Sequence, residues 1–271
     1  MILLISNATS DVLALRVALE KLPFCNASAV HIDEVSSNVE DNLDLSEICN
    51  FKVVILRRIG GASGFEDTLR RIRQICDDES ISFVAVSGEK EVDPELIKFS
   101  NVSLELVSKV SAYLNLGGGE NVANCLKFVM SCLGLDDLEF DEPFEIPEVS
   151  IYKKKVGDKD SVVVGVIFYR AQYVSGNTFY IDKLLGDIER LGAGYVAIYC
   201  YSLRGNNAIN AVDIFRQSGV DVIIATIWAA GSASEDNSSW DPSFLSSLDV
   251  PIIQGIVSMK SRHDFDDSPY G

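Results

Sequence analysis

Twice along the chain, short apolar runs of strand length alternate with longer stretches whose apolar residues recur every three or four positions. Strands covered on both faces read as continuous aliphatic runs, and parallel neighbours need a helical crossover between them. This alternation therefore confines the chain to parallel sheets layered with helices. In the first occurrence the runs are Ile2 to Ile5, Lys52 to Leu56 and Ile81 to Val86, with a weaker one at Ala29 to Ile32. Helix candidates follow Asp11 through Leu13, Leu15, Val17 and Leu19, and Ser63-Gly64 through Leu69, Ile72 and Ile75. In the second, strands are predicted at Ser161 to Phe168, Tyr195 to Cys200, Val220 to Ile227 and Val250 to Ile256, with helices opening at Asn177-Thr178 and at Ala208. The expected fold class is α/β: two Rossmann-like or flavodoxin-like parallel-sheet units joined by a helical segment.

The joining segment has its own signals. Asp93-Pro94-Glu95 sets a capping residue, a proline at the first helical position and an acid in the first turn. Gly117-Gly118-Gly119 then precedes Glu120, and Val122, Leu126, Val129 and Leu133 recur at helical spacing. The acids and proline of 136–143 mark a linker. The expected organisation is a first α/β unit over 1–90, a helical segment and acidic linker over 91–150, and a second α/β unit over 151–271, incomplete at its C-terminus.

Charge and cysteine usage narrow the function. With 23 Lys and Arg against 40 Asp and Glu in 271 residues, the net charge is −17. Binding to nucleic acid depends on clustered basic residues and counterion release, so it is not expected. The runs Arg70-Arg71 with Arg73 and Lys153-Lys154-Lys155 read as solvated faces. No apolar run approaches the ~18 residues of a membrane-spanning helix. The opening Met1 to Ile5 lacks a basic leader and reads as a buried strand rather than a signal peptide, which gives an expected cytoplasmic location. Cysteines 25, 49, 76, 125, 132 and 200 form no C-x-x-C pair, so they are expected as small buried hydrophobes. The two histidines, His31 in a strand and His263 in the terminal loop, support no metal cluster.

In open α/β sheets ligands bind beyond the carboxyl ends of the strands, which directs attention to the loops leaving those ends. After Leu56 comes Arg57-Arg58-Ile59-Gly60-Gly61-Ala62-Ser63-Gly64, where Gly60 and Gly61 either hold an anion on free N–H groups or form a tight strand-to-helix turn. No glycine-rich nucleotide frame is present. After Phe168, Tyr169 and Arg170 lead through Gln172 and Tyr173 to a helix-capping Asn177. Here Arg170 either faces an anionic ligand or closes the loop by bonding carbonyls. Tyr201 and Arg204 repeat the arrangement after Cys200. The Gly-, Ser-, Asp- and Asn-rich loop from Trp228 to Pro242 is either a lid over that edge or a surface loop. No nucleophile and base pair can be nominated as catalytic. The residues alone read as an acidic α/β ligand binder.

The wording of the second unit is more specific. Val164 to Ala171, Ser175-Gly176-Asn177-Thr178 and Tyr199 to Arg204 together resemble the amino-terminal part of the large subunit in the cobaltochelatase (CobN) family, relatives of the magnesium chelatase H subunit. Ile55 to Gly61, Gly117 to Asn121 and Val250 to Gly255 agree in the same order. The resemblance implies a part in ATP-driven metal insertion into a tetrapyrrole. In that family the large subunit holds the tetrapyrrole while separate AAA+ chelatase subunits hydrolyse ATP. The implied partners are thus a tetrapyrrole and those subunits. ATP and cobalt, or magnesium, are used by the whole complex, and no cofactor is expected on this stretch itself. Residue chemistry then suits Arg170 and Arg204 to the acid side chains of a corrin precursor or porphyrin, and Tyr169, Tyr201 or Trp228 to its flat face. Two departures stand out: family chains are far longer, which implies either an amino-terminal piece of a larger polypeptide or a short relative that kept only the head, and Gln172 stands near where a histidine is expected in many relatives. The alternatives are a stand-alone α/β small-molecule-binding or sensor protein, a magnesium chelatase-type homologue, and a pure assembly module.

Overall fold

A computed structural model describes residues 1–31, 45–89, 93–157, 161–227 and 243–257. The chain divides into two compact units, Met1–Ile146 with Val174–Asn177, and Pro147–Tyr173 with Thr178–Gly271. The helical segment expected between two sheets is thus part of the first unit, for a reason that lies in its packing.

The first sheet is four parallel strands, β1 (Ile2–Ser6), β2 (Ala27–His31), β3 (Val53–Arg58) and β4 (Ser82–Ser87), in the order β2-β1-β3-β4. Successive side chains of a strand point to opposite faces. Accordingly Ile2, Leu4, Val53, Ile55, Val84 and Val86 belong to one core, and Leu3, Ile5, Val54, Leu56, Phe83 and Ala85 to the other. The first core is closed by α1 (Thr9–Lys21), α4 (Leu104–Leu116) and α5 (Gly118–Cys132), the last two supplying Leu106, Val110, Tyr113, Leu126 and Val129. Without them one face of the sheet would lie open, which is why the joining helices belong here. The second core is closed by α2 (Glu66–Asp78) through Leu69, Ile72 and Cys76, by Ile48 of a 3-10 helix at Leu45–Asn50, and by Leu96 of α3 (Pro94–Ile97). Asp93 caps α3 as the sequence predicts, accepting from the N–H of Glu95 at 2.9 Å and of Leu96 at 3.3 Å.

Gly117 and Gly118 stand at φ +68° and +83°, where an L side chain is strained, and they carry the reversal from α4 into α5. The acidic stretch beyond α5 is strapped down. Buried Asn121 accepts from the N–H of Phe144 at 3.1 Å and donates to its carbonyl at 2.9 Å, while Asn124 accepts from the N–H of Asp141 at 3.2 Å.

The second sheet has the order β5-β7-β6-β8-β9. β6 (Val163–Tyr169), β7 (Gly194–Cys200), β8 (Val222–Ala225) and β9 (Ile252–Gln254) are parallel, and β5 (Val149–Lys155) lies antiparallel on the border. The lysine run predicted to be a solvated face is the outer half of this border strand, with Lys153 bound to Asp182 at 2.6 Å. Lysines on a border strand discourage pairing with other chains. The expected last strand, residues 250–256, is a three-residue strand with Ile253 exposed rather than buried. α6 (Arg170–Ser175) is a short helix in the predicted loop, followed by α7 (Phe179–Arg190), α8 (Gly205–Ser218) and α9 (Ser243–Ser246). The α8 face is filled by Ile167, Ile198, Ile223, Val212 and Phe215. A Cβ at Gly165 would lie 3.0 Å from the Phe215 ring, so the glycine lets that ring sit on the strand.

All six cysteines are free; Cys76, Cys125 and Cys200 are buried as expected, Cys25 is half-buried, and Cys49 and Cys132 are exposed. The last two correct the expectation. Each lies at or next to the end of a short or terminating helix, where the chain turns outward.

Candidate functional site

Each sheet has a point where the connections diverge: β1 and β3 in the first, β6 and β8 in the second. Crevices form beyond the carboxyl ends of such neighbouring strands.

In the first unit that place is built around Arg57. It pairs in register with Ser6, and its side chain is 10% exposed. Its Nη1 donates to both oxygens of Asp11 at 2.6 and 2.8 Å, and its Nη2 to the carbonyl of Gly88 at 3.1 Å and to Asn115 Oδ1 at 3.3 Å. Asp11 sits in the first turn of α1 and also accepts from the Ser6 hydroxyl. The Arg57 Nε is buried without a partner. Beside it is a cleft of about 120 Å³, lined by Ser10, Asp11, Arg57, Asn115, Gly117 and Gly118 among others. That volume suits a few waters or one small group and excludes a macrocycle. Sequence reasoning nominated Arg57 and missed Asp11, Ser6 and Asn115. The available signal was an acid directly after an aliphatic strand, at the start of a helix.

The Gly60-Gly61 turn has both glycines at positive φ, +95° and +69°. Arg58 Nη1 donates to the carbonyls of Gly60, at 3.2 Å, and of Gly61. The Gly60 N–H donates to the Glu89 carboxylate at 3.2 Å.

In the second unit, Tyr169 ends β6 in register with Cys200 of β7, so Tyr169 and the Arg170 that follows it leave the strand next to the one that leads into Tyr201 and Arg204. The structure therefore brings these four to one edge. Arg170 is half-buried and its Nε donates to the Pro147 carbonyl at 3.0 Å, while Tyr201 and Arg204 are exposed. Asn177 belongs to the first unit and is not the helix cap, because α7 begins after Thr178, whose side chain makes no cap bond. Trp228 lies outside the described residues, as do Trp240 and His263.

A set of tyrosines behind this edge was not read from the sequence. Tyr173 stacks on Tyr199 with ring centroids 4.3 Å apart and planes 8° from parallel, and Tyr152 meets Phe168 and Tyr173 edge-on. At the β6/β8 divergence the Tyr180 hydroxyl donates to Gln172 Oε1 at 2.6 Å and lies 3.3 Å from the Thr226 hydroxyl. Burial is the first cause that pushes the Tyr152, Tyr180 and Tyr199 hydroxyls above their ordinary range, so all three stay neutral donors. Among the described residues no group of three His, Cys, Asp or Glu could hold a metal, and no helix is long and apolar enough to cross a membrane.

The CobN/magnesium chelatase family model matches residues 111–271, more than half of the chain. The chain belongs to the CobN/magnesium chelatase family. Among CobN-type relatives, the aerobic cobaltochelatase subunit CobN of Sinorhizobium sp is 25% identical over 240 residues, covering 81% of this chain and 19% of its own. An uncharacterized protein of Methanocaldococcus jannaschii is 26% identical over 294 residues, covering 98% of this chain and 24% of its own. The solved catalytic subunit of cobaltochelatase from Mycobacterium tuberculosis superposes with a TM-score of 0.79 at 25% identity, over 99% of this chain and 23% of that one. This chain thus spans a quarter or less of the length of these three proteins.

Proposed function

We propose that this chain acts as the head region of a cobaltochelatase-type large subunit, and that the carboxyl edge of its second sheet helps to hold a carboxylated tetrapyrrole during metal insertion. What supports this reading is that Tyr169-Arg170 and Tyr201-Arg204 lie in the segments leaving the adjacent strands β6 and β7 in a member of this family. Guanidinium groups match carboxylates in geometry and charge, and tyrosine faces match a flat macrocycle. Cobalt is then a substrate of the complete assembly, in the cytoplasm, where separate AAA+ subunits hydrolyse ATP; magnesium takes its place in a magnesium chelatase-type homologue. This chain contributes recognition rather than turnover.

The test is an absorbance titration of the 271-residue protein with a carboxylated corrin and with a porphyrin. Exposed arginine–carboxylate contacts contribute about 0.2–1 kcal/mol each, so replacing both Arg170 and Arg204 by alanine should weaken binding by roughly 2- to 30-fold. Parent-like binding by the double variant removes these residues from the site. Absence of binding by the parent makes this head a docking module for the other subunits.

A further inference from the structure

We infer that Tyr173 is the positioning residue of Arg170: its ring, stacked on Tyr199, holds the start of α6 so that the guanidinium stands at the carboxyl edge of the second sheet before any ligand arrives. This rests on the reading of that edge as a place for a carboxylated ligand, and names the residue on which its arrangement depends.

α6 is six residues long and buries none of them. A helix that short does not hold itself together in water, so what fixes Arg170 comes from other elements. Arg170 and Tyr173 are three positions apart on α6, which makes them neighbours on one face. The Tyr173 ring is held in two directions. It lies flat on Tyr199 of β7, with centroids 4.3 Å apart and planes 8° from parallel, and it meets the Tyr152 ring of β5 edge-on at 5.9 Å. Both supports are themselves fixed. Tyr199 is 4% exposed and meets Phe168 of β6 edge-on at 6.5 Å, and the Tyr152 hydroxyl donates to the Asp182 carboxylate at 3.0 Å.

The arginine side chain has an anchor of its own, the Pro147 carbonyl, to which its Nε donates at 3.0 Å. That carbonyl is fixed in turn, because the next one along, of Glu148, accepts from the Tyr201 N–H at 2.8 Å and Val149 pairs in register with Cys200. Burial pushes the Tyr199 hydroxyl above its ordinary range, and Arg170 is among the groups that draw it back down, so the guanidinium charge stands close to the stacked pair. Arg204 differs: it is exposed and directly precedes α8. A guanidinium ordered in advance binds without the entropy cost that an exposed one bears. Tyr173 therefore strengthens the contact made by Arg170 and leaves that of Arg204 as it is.

The first readout needs no ligand. In the isotope-labelled 271-residue protein the Arg170 Nε–H signal is identified by NMR from its loss in Arg170→Ala, and its exchange with solvent is measured. Tyr173→Phe keeps the flat ring and should exchange at the parent's rate, whereas Tyr173→Leu and Tyr173→Ala remove it and should exchange several-fold faster. Tyr173→Leu keeps apolar bulk, and decides even if Tyr173→Ala fails to fold. The second readout is titration with a porphyrin bearing carboxylate side chains. Tyr173→Leu should weaken binding roughly two- to fivefold, no more than Arg170→Ala does, and should weaken it no further in an Arg170→Ala background. Its effect should persist in an Arg204→Ala background. A parent-like exchange rate in Tyr173→Leu overturns the inference, and so does equal weakening of binding with and without Arg170. Absence of binding by the parent overturns the tetrapyrrole reading alone, since the exchange result is obtained without a ligand.

Discussion

The two units present arginine at their strand ends in opposite ways. Arg57 is nine-tenths buried, held by an aspartate and two oxygens from other elements, and faces a cleft that admits one small group. Arg170 and Arg204 stand at the carboxyl edge of the second sheet, the first half-buried and bound to the Pro147 carbonyl and the second exposed. A buried guanidinium is fixed before any ligand arrives and is selective by size. An exposed rim guanidinium must be ordered on binding, which costs side-chain entropy.

The sharpest way to break this contrast is through stability. Arg57→Ala leaves the Asp11 carboxylate without its counterion in a poorly solvated place, which should cost about 3–5 kcal/mol in urea unfolding followed by circular dichroism. A loss below about 1 kcal/mol would mean that water reaches Asp11 freely and that the first edge resembles the second. Gly119→Ala comes next. Its Cβ would lie 2.4 Å from Val17 Cγ1, where α5 meets α1, and this overpacking should cost about 1–3 kcal/mol in the same assay.

Alkaline pH should separate the units as well. Burial pushes Cys76, Cys125 and Tyr113 of the first unit up to about 12, and Cys200 of the second to about 11, from ordinary values of 9.0 for the thiols and 10.0 for the tyrosine. The folded state keeps a proton that the unfolded chain has already released. The stability from this source is therefore complete below pH 9.0 and is lost as pH climbs toward 12. The first unit, with three such groups, should weaken before the second, as hydrogen exchange or limited proteolysis across a pH series would show. At about pH 8 a thiol reagent should modify Cys49 and Cys132 quickly and leave Cys76, Cys125 and Cys200 unmodified until the protein unfolds. The smallest effect belongs to the rim: Arg170→Ala and Arg204→Ala should each change stability by no more than about 0.5 kcal/mol, and a larger loss would recast them as structural.

Much of the fold could be read from the chain alone, since doubly covered strands must be aliphatic throughout and Asp93-Pro94 carries its helix start in its own chemistry. β5 escaped because a border strand exposed on its outer side loses the apolar signature, and lysines gave it the look of a solvated run. The standing of the joining helices was hidden too, because periodicity shows that Val122, Leu126 and Val129 share a face but not which sheet they cover. The site divides in the same manner. Arg57, Arg170 and Arg204 were visible as polar residues at strand ends. Asp11, Asn115 and the Tyr173–Tyr199 stack were not, since each partnership joins positions distant in sequence, 46 residues apart for Arg57 and Asp11. Asn121 and Asn124 have the same history: they look like ordinary polar residues of a helix, and only the path of the acidic stretch back along α5 gives them their work.

Among the described residues, the second sheet finally has two unlike borders. β5 runs against its neighbour and carries charge along its outer half, while β9 is short, runs with its neighbour and shows exposed isoleucine. Among the described residues, a further strand meets lysines at the first and no neighbour at the second. Lysines thus discourage growth of the sheet at the β5 border, and β9 carries no comparable charge.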